Sequence, residues 1–414
     1  MDGRCYGLLG RKLGHSWSVP IHAALGNGAY RLLELEPDGL APFLHRKDIG
    51  GLNVTIPYKR DVMPLCDEID PAAEAIGSVN TIVRRPDGKL YAYNTDAAGF
   101  CYMAQRAGIS FAGRKAVILG SGGASLTAQA CARQLGAREV VVISRSGPDN
   151  YENLSRHADA EIVVNTTPVG MYPVNGAAPV DLTAFPACRG VLDVIYNPRR
   201  TALLQQAEAL DIPCSDGLPM LVAQAKAAEE HFFGTAIPDG ENERILAQLR
   251  QETENIVLIG MPGCGKTTVG HLLAQKTGRE AIDLDERIAA RAGCSIPEIF
   301  ARGGEADFRV LEREETAKAG ALSGKILLTG GGVVKTAENY PSLHQNGRIY
   351  HLLRPIGELA TDGRPLSQGA DLSAMWAERE PLYRRFRDVV IENTGTVEDT
   401  ADGIWRDFCA HSGD

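Results

Sequence analysis

Apolar residues follow two rhythms along this chain. Short β-branched or aliphatic runs (Cys5 to Leu9, Ala116 to Leu119, Val140 to Ile143, Ile162 to Val164, Val191 to Val194, Ile256 to Ile259, Ile326 to Leu328) alternate with stretches in which apolar positions recur at helical spacing, such as Leu126, Ala130 and Leu135. The first rhythm predicts buried strands and the second the helices that cover them, so the fold class is α/β with parallel sheets. Between Pro238 and Asn255 the chain turns polar, with Ile245, Leu246 and Leu249 as a weak amphipathic stripe. This predicts a terminal helix running into a linker, with the main boundary near Thr253. Asn94 to Gly99 separates an earlier block from a segment that leads into a glycine-rich turn. The expected domains are therefore 1–99, 100–253 and 254–414.

Length agrees with this division, since 414 residues make two to three folding units. The 43 Lys and Arg against 52 Asp and Glu leave a net charge of −9, with no cationic excess for a nucleic-acid backbone or an anionic membrane. Neither partner is expected, small anions can still be held locally, and a homo-oligomer stays open. No apolar stretch approaches the roughly 18 residues of a membrane span. The first apolar run stops at Gly10 before Arg11 and Lys12, so it reads as a strand and the expected location is the cytoplasm. Nine cysteines without a C-x-x-C suit reduced thiols better than a disulfide frame or a zinc site.

The strand Ala116 to Leu119 runs into Gly120-Ser121-Gly122-Gly123-Ala124-Ser125 and then a helical pattern. Strand, tight turn and helix start let backbone N–H groups approach a pyrophosphate, although a plain turn has the same sequence. The next strand ends in Ser144-Arg145-Ser146, where an NAD-preferring fold would place an acidic residue for the ribose 2′-hydroxyl. Arg145 offers a guanidinium to a 2′-phosphate instead, flanked by two hydroxyls, which favours NADP over NAD; the plain alternative is an exposed surface arginine.

Four polar clusters precede that turn: His15-Ser16-Trp17-Ser18, Asn53-Val54-Thr55-Ile56-Pro57-Tyr58-Lys59, Gly77-Ser78-Val79-Asn80-Thr81 and Asn94-Thr95-Asp96. Together they supply hydroxyls, amides, a lysine and an aspartate able to surround a small polyhydroxylated acid. In kind and order they resemble shikimate dehydrogenase, and the resemblance continues through Asn165-Thr166-Thr167-Pro168 and Asp216-Gly217-Leu218-Pro219-Met220, covering about 1–250. It implies that Ser16 and Ser18 hold the substrate carboxylate and that Thr55, Asn80, Asn94, Asp96 and Gln224 surround its hydroxyls. By the same resemblance Tyr196 closes the pocket, while Gly120, Gly122, Gly123, Ala124, Ser144, Arg145, Ser146, Gly217 and Met220 line the NADP(H) site. Lys59 and Asp96 are then the catalytic pair: a positioned ammonium stabilises charge building on a ketone oxygen and delivers its proton. The chain departs from the family at Val19-Pro20, where the proline is displaced by one position, at Ala23 and at Pro219.

The second half opens with Asn255 to Ile259, then Gly260-Met261-Pro262-Gly263-Cys264-Gly265-Lys266-Thr267-Thr268 and a helical pattern with Val269, Leu272 and Leu273. This is a phosphate-binding loop in its required strand-to-helix context, with Lys266 set to neutralise phosphate charge and Thr267 to ligate Mg²⁺. Further on, Arg309 and Arg379 suit a carboxylate clamp, Gly330, Gly331 and Gly332 allow an acceptor ring close to backbone, and Asp285 can accept a hydroxyl proton. In order these resemble shikimate kinase over about 254–414. The resemblance implies shikimate on Asp285, Arg309, Gly330 to Gly332 and Arg379; ATP on Gly263, Cys264, Gly265, Lys266, Thr267 and Thr268; Mg²⁺ through Thr267 and Asp283; and Arg364 in a lid. The lid departs from the family in being short, with Ala360 where an arginine usually covers the nucleotide.

The expected protein is bifunctional: it reduces 3-dehydroshikimate with NADPH, then phosphorylates shikimate with ATP and Mg²⁺. The alternative is a quinate/shikimate dehydrogenase carrying a weak, nucleotide-sensing kinase-like domain.

Overall fold

In a computed structural model, which describes residues 3–14, 16–359 and 371–412, the chain forms two compact units, 1–246 and 247–414. They part within the helix Gly240–Thr253, whose Ile245, Leu246 and Leu249 are all buried. The division between units falls ahead of the boundary expected near Thr253. Gly99 separates two sheets but not two compact units.

The first sheet contains β1 (Cys5–Gly10), β2 (Tyr30–Glu34), β3 (Ile49–Val54), β4 (Glu68–Ile69), β5 (Thr81–Arg84) and β6 (Leu90–Tyr93) in the order β2-β1-β3-β5-β6-β4. It is mixed: β1, β2 and β3 are parallel, but β5 runs antiparallel to both β3 and β6. The Pro86-Asp87-Gly88 turn makes β5 and β6 a hairpin, closed by the Arg85 N–H on the Lys89 carbonyl at 3.0 Å. Reversing β5 places its start beside the end of β3. The polar clusters after β1, after β3, before β5 and after β6 therefore gather at one sheet edge.

The second sheet, β7 (Lys115–Leu119), β8 (Glu139–Ile143), β9 (Ile162–Asn165), β10 (Gly190–Asp193) and β11 (Cys214–Ser215), has the order β11-β10-β9-β7-β8, and its ladders are all parallel. The third, β12 (Asn255–Ile259), β13 (Ala281–Asp283), β14 (Ile326–Leu328), β15 (Gly347–Leu353) and β16 (Val389–Glu392), is likewise parallel, in the order β13-β14-β12-β15-β16. Its strands β12 and β14 are buried at every position and, apart from Asn255, apolar, as a sheet covered on both faces requires. In both sheets the glycine turns follow the carboxyl ends of central strands, where ligands bind in open α/β folds.

In the first unit the helix Asp96–Arg106 lies against the helix Leu218–Phe233 so closely that a Cβ at Gly99 would stand 2.5 Å from the Met220 carbonyl oxygen and 3.1 Å from Gln224 Cβ. Backbone oxygen cannot yield as a side chain can, so Gly99→Ala should destabilise this unit by about 1–3 kcal/mol. Calorimetric unfolding of the variant checks it.

Candidate functional sites

At the edge of the first sheet Asp96 is the first residue of its helix, where the N-terminal dipole favours a carboxylate. Asn80 holds it from behind: its Oδ1 accepts the Thr95 N–H at 2.7 Å, while its Nδ2 donates to Asp96 Oδ1 at 2.9 Å and to Thr95 Oγ1 at 3.1 Å. The other Asp96 oxygen takes Lys59 Nζ, so the lysine is ion-paired and hydrogen-bonded while both side chains stay partly open to solvent. Gln224 Oε1 lies 3.5 Å from Asn80 Nδ2 and its own Nε2 donates to the Leu221 carbonyl. Lys59, Asn80, Asp96 and Gln224 thus form one cluster, with Thr55 following β3 at the same edge.

Ser16 donates to Ser18 Oγ at 3.1 Å, and Ser18 begins the helix Ser18–Ala24. The Asn94 amide donates to the Ser78 carbonyl and accepts from the Ala97 N–H in the turn before Asp96. Tyr196 is half-buried beyond β10, on the edge of the second sheet; burial raises its hydroxyl pKa.

The glycine turn follows β7. Gly120 adopts φ +104°, which favours glycine, and a Cβ there would meet Thr166 Oγ1 at 2.9 Å. Gly122 is extended with open space at its Cβ position, and Gly123 and Ala124 begin the helix Gly123–Gln134. Unfilled space before a helix start fits a pyrophosphate. The Lys59 side chain reaches this turn: its Cδ lies 4.0 Å from where a Gly123 Cβ would be. Arg145 and Ser146 are exposed in the turn after β8, and Ser144 N–H is tied to the Asp149 carbonyl. Gly217 packs on the Val194 backbone, and its N–H donates to the Ile195 carbonyl at 2.9 Å. Met220 is buried on the adjoining helix.

In the second unit the loop after β12 leads into the helix Lys266–Thr277, with Gly263 and Gly265 at φ +83° and +98°. Lys266 Nζ rests on the Gly260 and Met261 carbonyls at 2.8 and 3.1 Å, while Thr267 and Thr268 are exposed on the first turn. Asp283 caps the next helix, accepting from the N–H groups of Asp285 and Glu286. A Cβ at Gly330 would meet Asp285 Oδ1 at 2.7 Å, one at Gly331 would meet Pro262 Cδ at 2.6 Å, and one at Gly332 would meet Arg309 Nη2 at 2.5 Å. The glycine strand end thereby touches the carboxylate, the phosphate-binding loop and an arginine together. Arg379 Nη1 donates to the Gly331 carbonyl at 3.1 Å. Ala360 and Arg364, the lid residues, lie outside the described residues.

These side chains have partners of their own. Glu312, 2% exposed, accepts from Arg309 Nη1 at 2.7 Å, while Glu305 takes the other side of the guanidinium. Burial raises the Glu312 carboxyl against the pull of Arg309. Tyr383 donates to the Gly331 carbonyl at 2.5 Å. In the first unit His22 and Glu229, both buried, are hydrogen-bonded to each other, and Asn27 donates to Glu229 at 3.0 Å. Glu305, Glu312 and Tyr383 stand in the sequence motifs that carry Arg309 and Arg379, whereas the His22 and Glu229 partnership spans 207 positions and left no local signal.

The comparisons now bear on this geometry. A family model described as shikimate dehydrogenase substrate binding domain matches residues 8–82, and one described as shikimate kinase matches 262–408. A shikimate dehydrogenase (NADP(+)) from Clostridium perfringens is 34% identical over 268 residues, 60% of this chain and 98% of that protein. The chain belongs to the shikimate dehydrogenase family. A chorismate mutase/shikimate 5-dehydrogenase fusion protein from Clostridium acetobutylicum has a structure matching with TM-score 0.57 at 34% identity, over 60% of this chain and 97% of that one. A Thermus thermophilus shikimate 5-dehydrogenase solved with NADP(H) and shikimate matches at TM-score 0.53 and 30% identity, over 58% and 97%. With its second domain of the shikimate kinase family, the chain is a bifunctional shikimate-pathway enzyme that uses NADP(H), ATP and Mg²⁺. Among the described residues no helix is long and apolar enough to cross a membrane.

Beneath the dehydrogenase's nucleotide site, Asp193 accepts from the Ile195 N–H, Asn165 Nδ2 and Thr201 Oγ1. Burial outweighs these donors and pushes its carboxyl up from 3.8 to about 6. Folded protein then holds a proton that the unfolded chain releases above pH 3.8, so this group stabilises fully below that pH and loses its contribution as pH rises through about 6. Thermal unfolding between about pH 4 and 7 should show that component in the wild type and not in Asp193→Asn.

Proposed function

We propose that the first unit reduces 3-dehydroshikimate to shikimate at the expense of NADPH and that the second transfers a phosphoryl group from ATP to the 3-hydroxyl of shikimate. The observation that carries this reading is that each unit sets its reacting groups against its own phosphate-binding turn. Lys59 lies along Gly123, and the Asp285 and Gly330 to Gly332 cluster touches Pro262.

When bound, NADPH supplies hydride to the ketone carbon and MgATP supplies the phosphoryl group. Lys59 Nζ, oriented by Asp96, delivers a proton to the oxygen on which charge develops, and Asn80 holds Asp96 in line. Ser16 and Ser18 take the acid's carboxylate, Thr55 and Gln224 take hydroxyls, and Tyr196 covers the pocket. Arg145 receives the 2′-phosphate between Ser144 and Ser146. In the second unit Arg309 and Arg379 clamp the shikimate carboxylate, and Asp285 accepts the proton of the attacking hydroxyl. Lys266 exchanges its loop carbonyls for phosphate oxygens. Thr267 and, through water, Asp283 hold the metal, and Arg364 neutralises charge on the group in transfer.

A one-pot assay with 3-dehydroshikimate, NADPH, ATP and Mg²⁺, following NADPH loss and ADP formation together, tests the whole reading. Reduction without ADP would favour a kinase domain that only senses nucleotide. Assaying shikimate and quinate side by side as oxidation substrates tests the acid. Lys59→Ala should slow reduction by roughly 10² or more and leave phosphorylation near wild type, with Lys266→Ala doing the reverse. Loss of both activities from either change in folded protein contradicts two separate sites.

Cofactor choice is tested separately: Arg145→Ala should raise KM for NADPH roughly tenfold or more, the scale of a lost charge-assisted contact, and barely affect NADH. Equal losses for the two cofactors assign Arg145 to the fold instead.

A further inference from the structure

We propose that Asn393 is a positioning residue for nucleotide binding in the kinase unit, holding the Cys264–Gly265 peptide of the phosphate-binding loop so that its N–H faces the phosphates. The proposal rests on the kinase reading above.

Asn393 directly follows β16, and its backbone N–H donates to the Leu353 carbonyl at 2.8 Å, which ties the residue to the end of β15. Its side chain is buried, with the residue 3% exposed. Nδ2 donates to the Cys264 carbonyl oxygen at 2.7 Å, and Oδ1 accepts from Thr400 Oγ1 at 2.8 Å. Thr400, buried on the helix Val397–Ala410, thereby holds one end of the amide while the loop holds the other. A carbonyl oxygen only accepts, so the amide nitrogen must be the end facing Cys264. Turning the amide would break the bond to Cys264 and set two acceptor oxygens against each other in a buried place, while Thr400 Oγ1 could accept from the turned Nδ2 and pass its own proton to the Thr396 carbonyl.

Peptide geometry gives the consequence. In a planar trans peptide the C=O and N–H point to opposite sides, so a donor fixing the Cys264 carbonyl from outside the loop turns the Gly265 N–H the other way, into the hollow. Successive N–H groups held in this manner form an anion-binding nest, and donors fixed beforehand need no reorganisation when the phosphates arrive. Gly265 completes the fit. It adopts φ +98°, and a Cβ there would stand 2.6 Å from Asn393 Nδ2, so the amide packs directly on loop backbone.

The test uses the full chain and MgADP, with affinity measured by titration calorimetry and KM for ATP and shikimate by steady-state kinetics. Asn393→Leu removes the donor; Asn393→Asp keeps the shape but sets an acceptor against the Cys264 carbonyl. Both should weaken MgADP binding by about tenfold or more, with KM for ATP rising in parallel, KM for shikimate held within about twofold and the dehydrogenase rate of the same chain unaltered. Thr400→Val, which frees only the far end of the amide, should cause a smaller loss, and adding it to Asn393→Leu should cost nothing more. This second variant carries the test should either Asn393 change fail to fold. Unchanged MgADP affinity in Asn393→Leu overturns the assignment, as does an equal loss for nucleotide and shikimate, the mark of a general packing defect. A wild-type protein that binds no MgADP overturns the kinase reading itself, and this assignment with it.

Discussion

Unpaired backbone N–H groups at the start of a helix, delivered by a buried parallel strand, are the constraint around which both halves are arranged. The first N–H groups of a helix have no partner within it, and their aligned dipoles favour negative charge. In the first unit these groups belong to the helix Gly123–Gln134 after β7, and in the second to the helix Lys266–Thr277 after β12. Once a phosphate position is set by backbone, the reacting groups must come to it. In the second unit parallel topology supplies them, because every strand of its sheet ends at the same edge and the loops after them open there.

How the acid site is built differs between the units. The dehydrogenase places its chemistry on a mixed sheet, where the antiparallel β5 lets a residue that precedes a strand, Asn80, meet one that follows another, Asp96. Asn80 spends both ends of its amide on the Thr95–Asp96 turn, so the carboxylate that orients Lys59 is itself oriented. The kinase uses a flat set of strand ends: Asp285 after β13 and Gly330 after β14 meet without any reversal. Its arginine is kept straight by carboxylates on either side. Glu312, being buried, would carry an uncompensated charge without Arg309, so the pair stands or falls together. The short helical break at Gly304, with φ +72°, lies just ahead of this stretch and separates it from the first turns of Ile296–Gly320.

Much was legible from sequence because the relevant physics is local. Strand rhythm, turn glycines and helix starts lie within a few residues of one another, so the strands Lys115–Leu119 and Asn255–Ile259 fall within one residue of the apolar runs that predict them, and a helix follows each glycine turn where the pattern places one. What could not be read was which side chains spend their hydrogen bonds internally. Asn94 looks in sequence like Asn80, yet its amide joins the Ser78 carbonyl to the Ala97 N–H while that of Asn80 meets the Asp96 carboxylate.

The sequence by itself therefore determined the element types, the two phosphate-binding turns and the chemistry carried beside them, since each depends on residues close along the chain. Only the tertiary structure decided the pairings across distance: His22 with Glu229, Lys59 against Gly123, Asn393 against Cys264, and the place within one helix where the two compact units part. Those depend on which strands become neighbours and in which direction they run. That choice is made by burying whole faces of sheets and helices together, and no single segment records it.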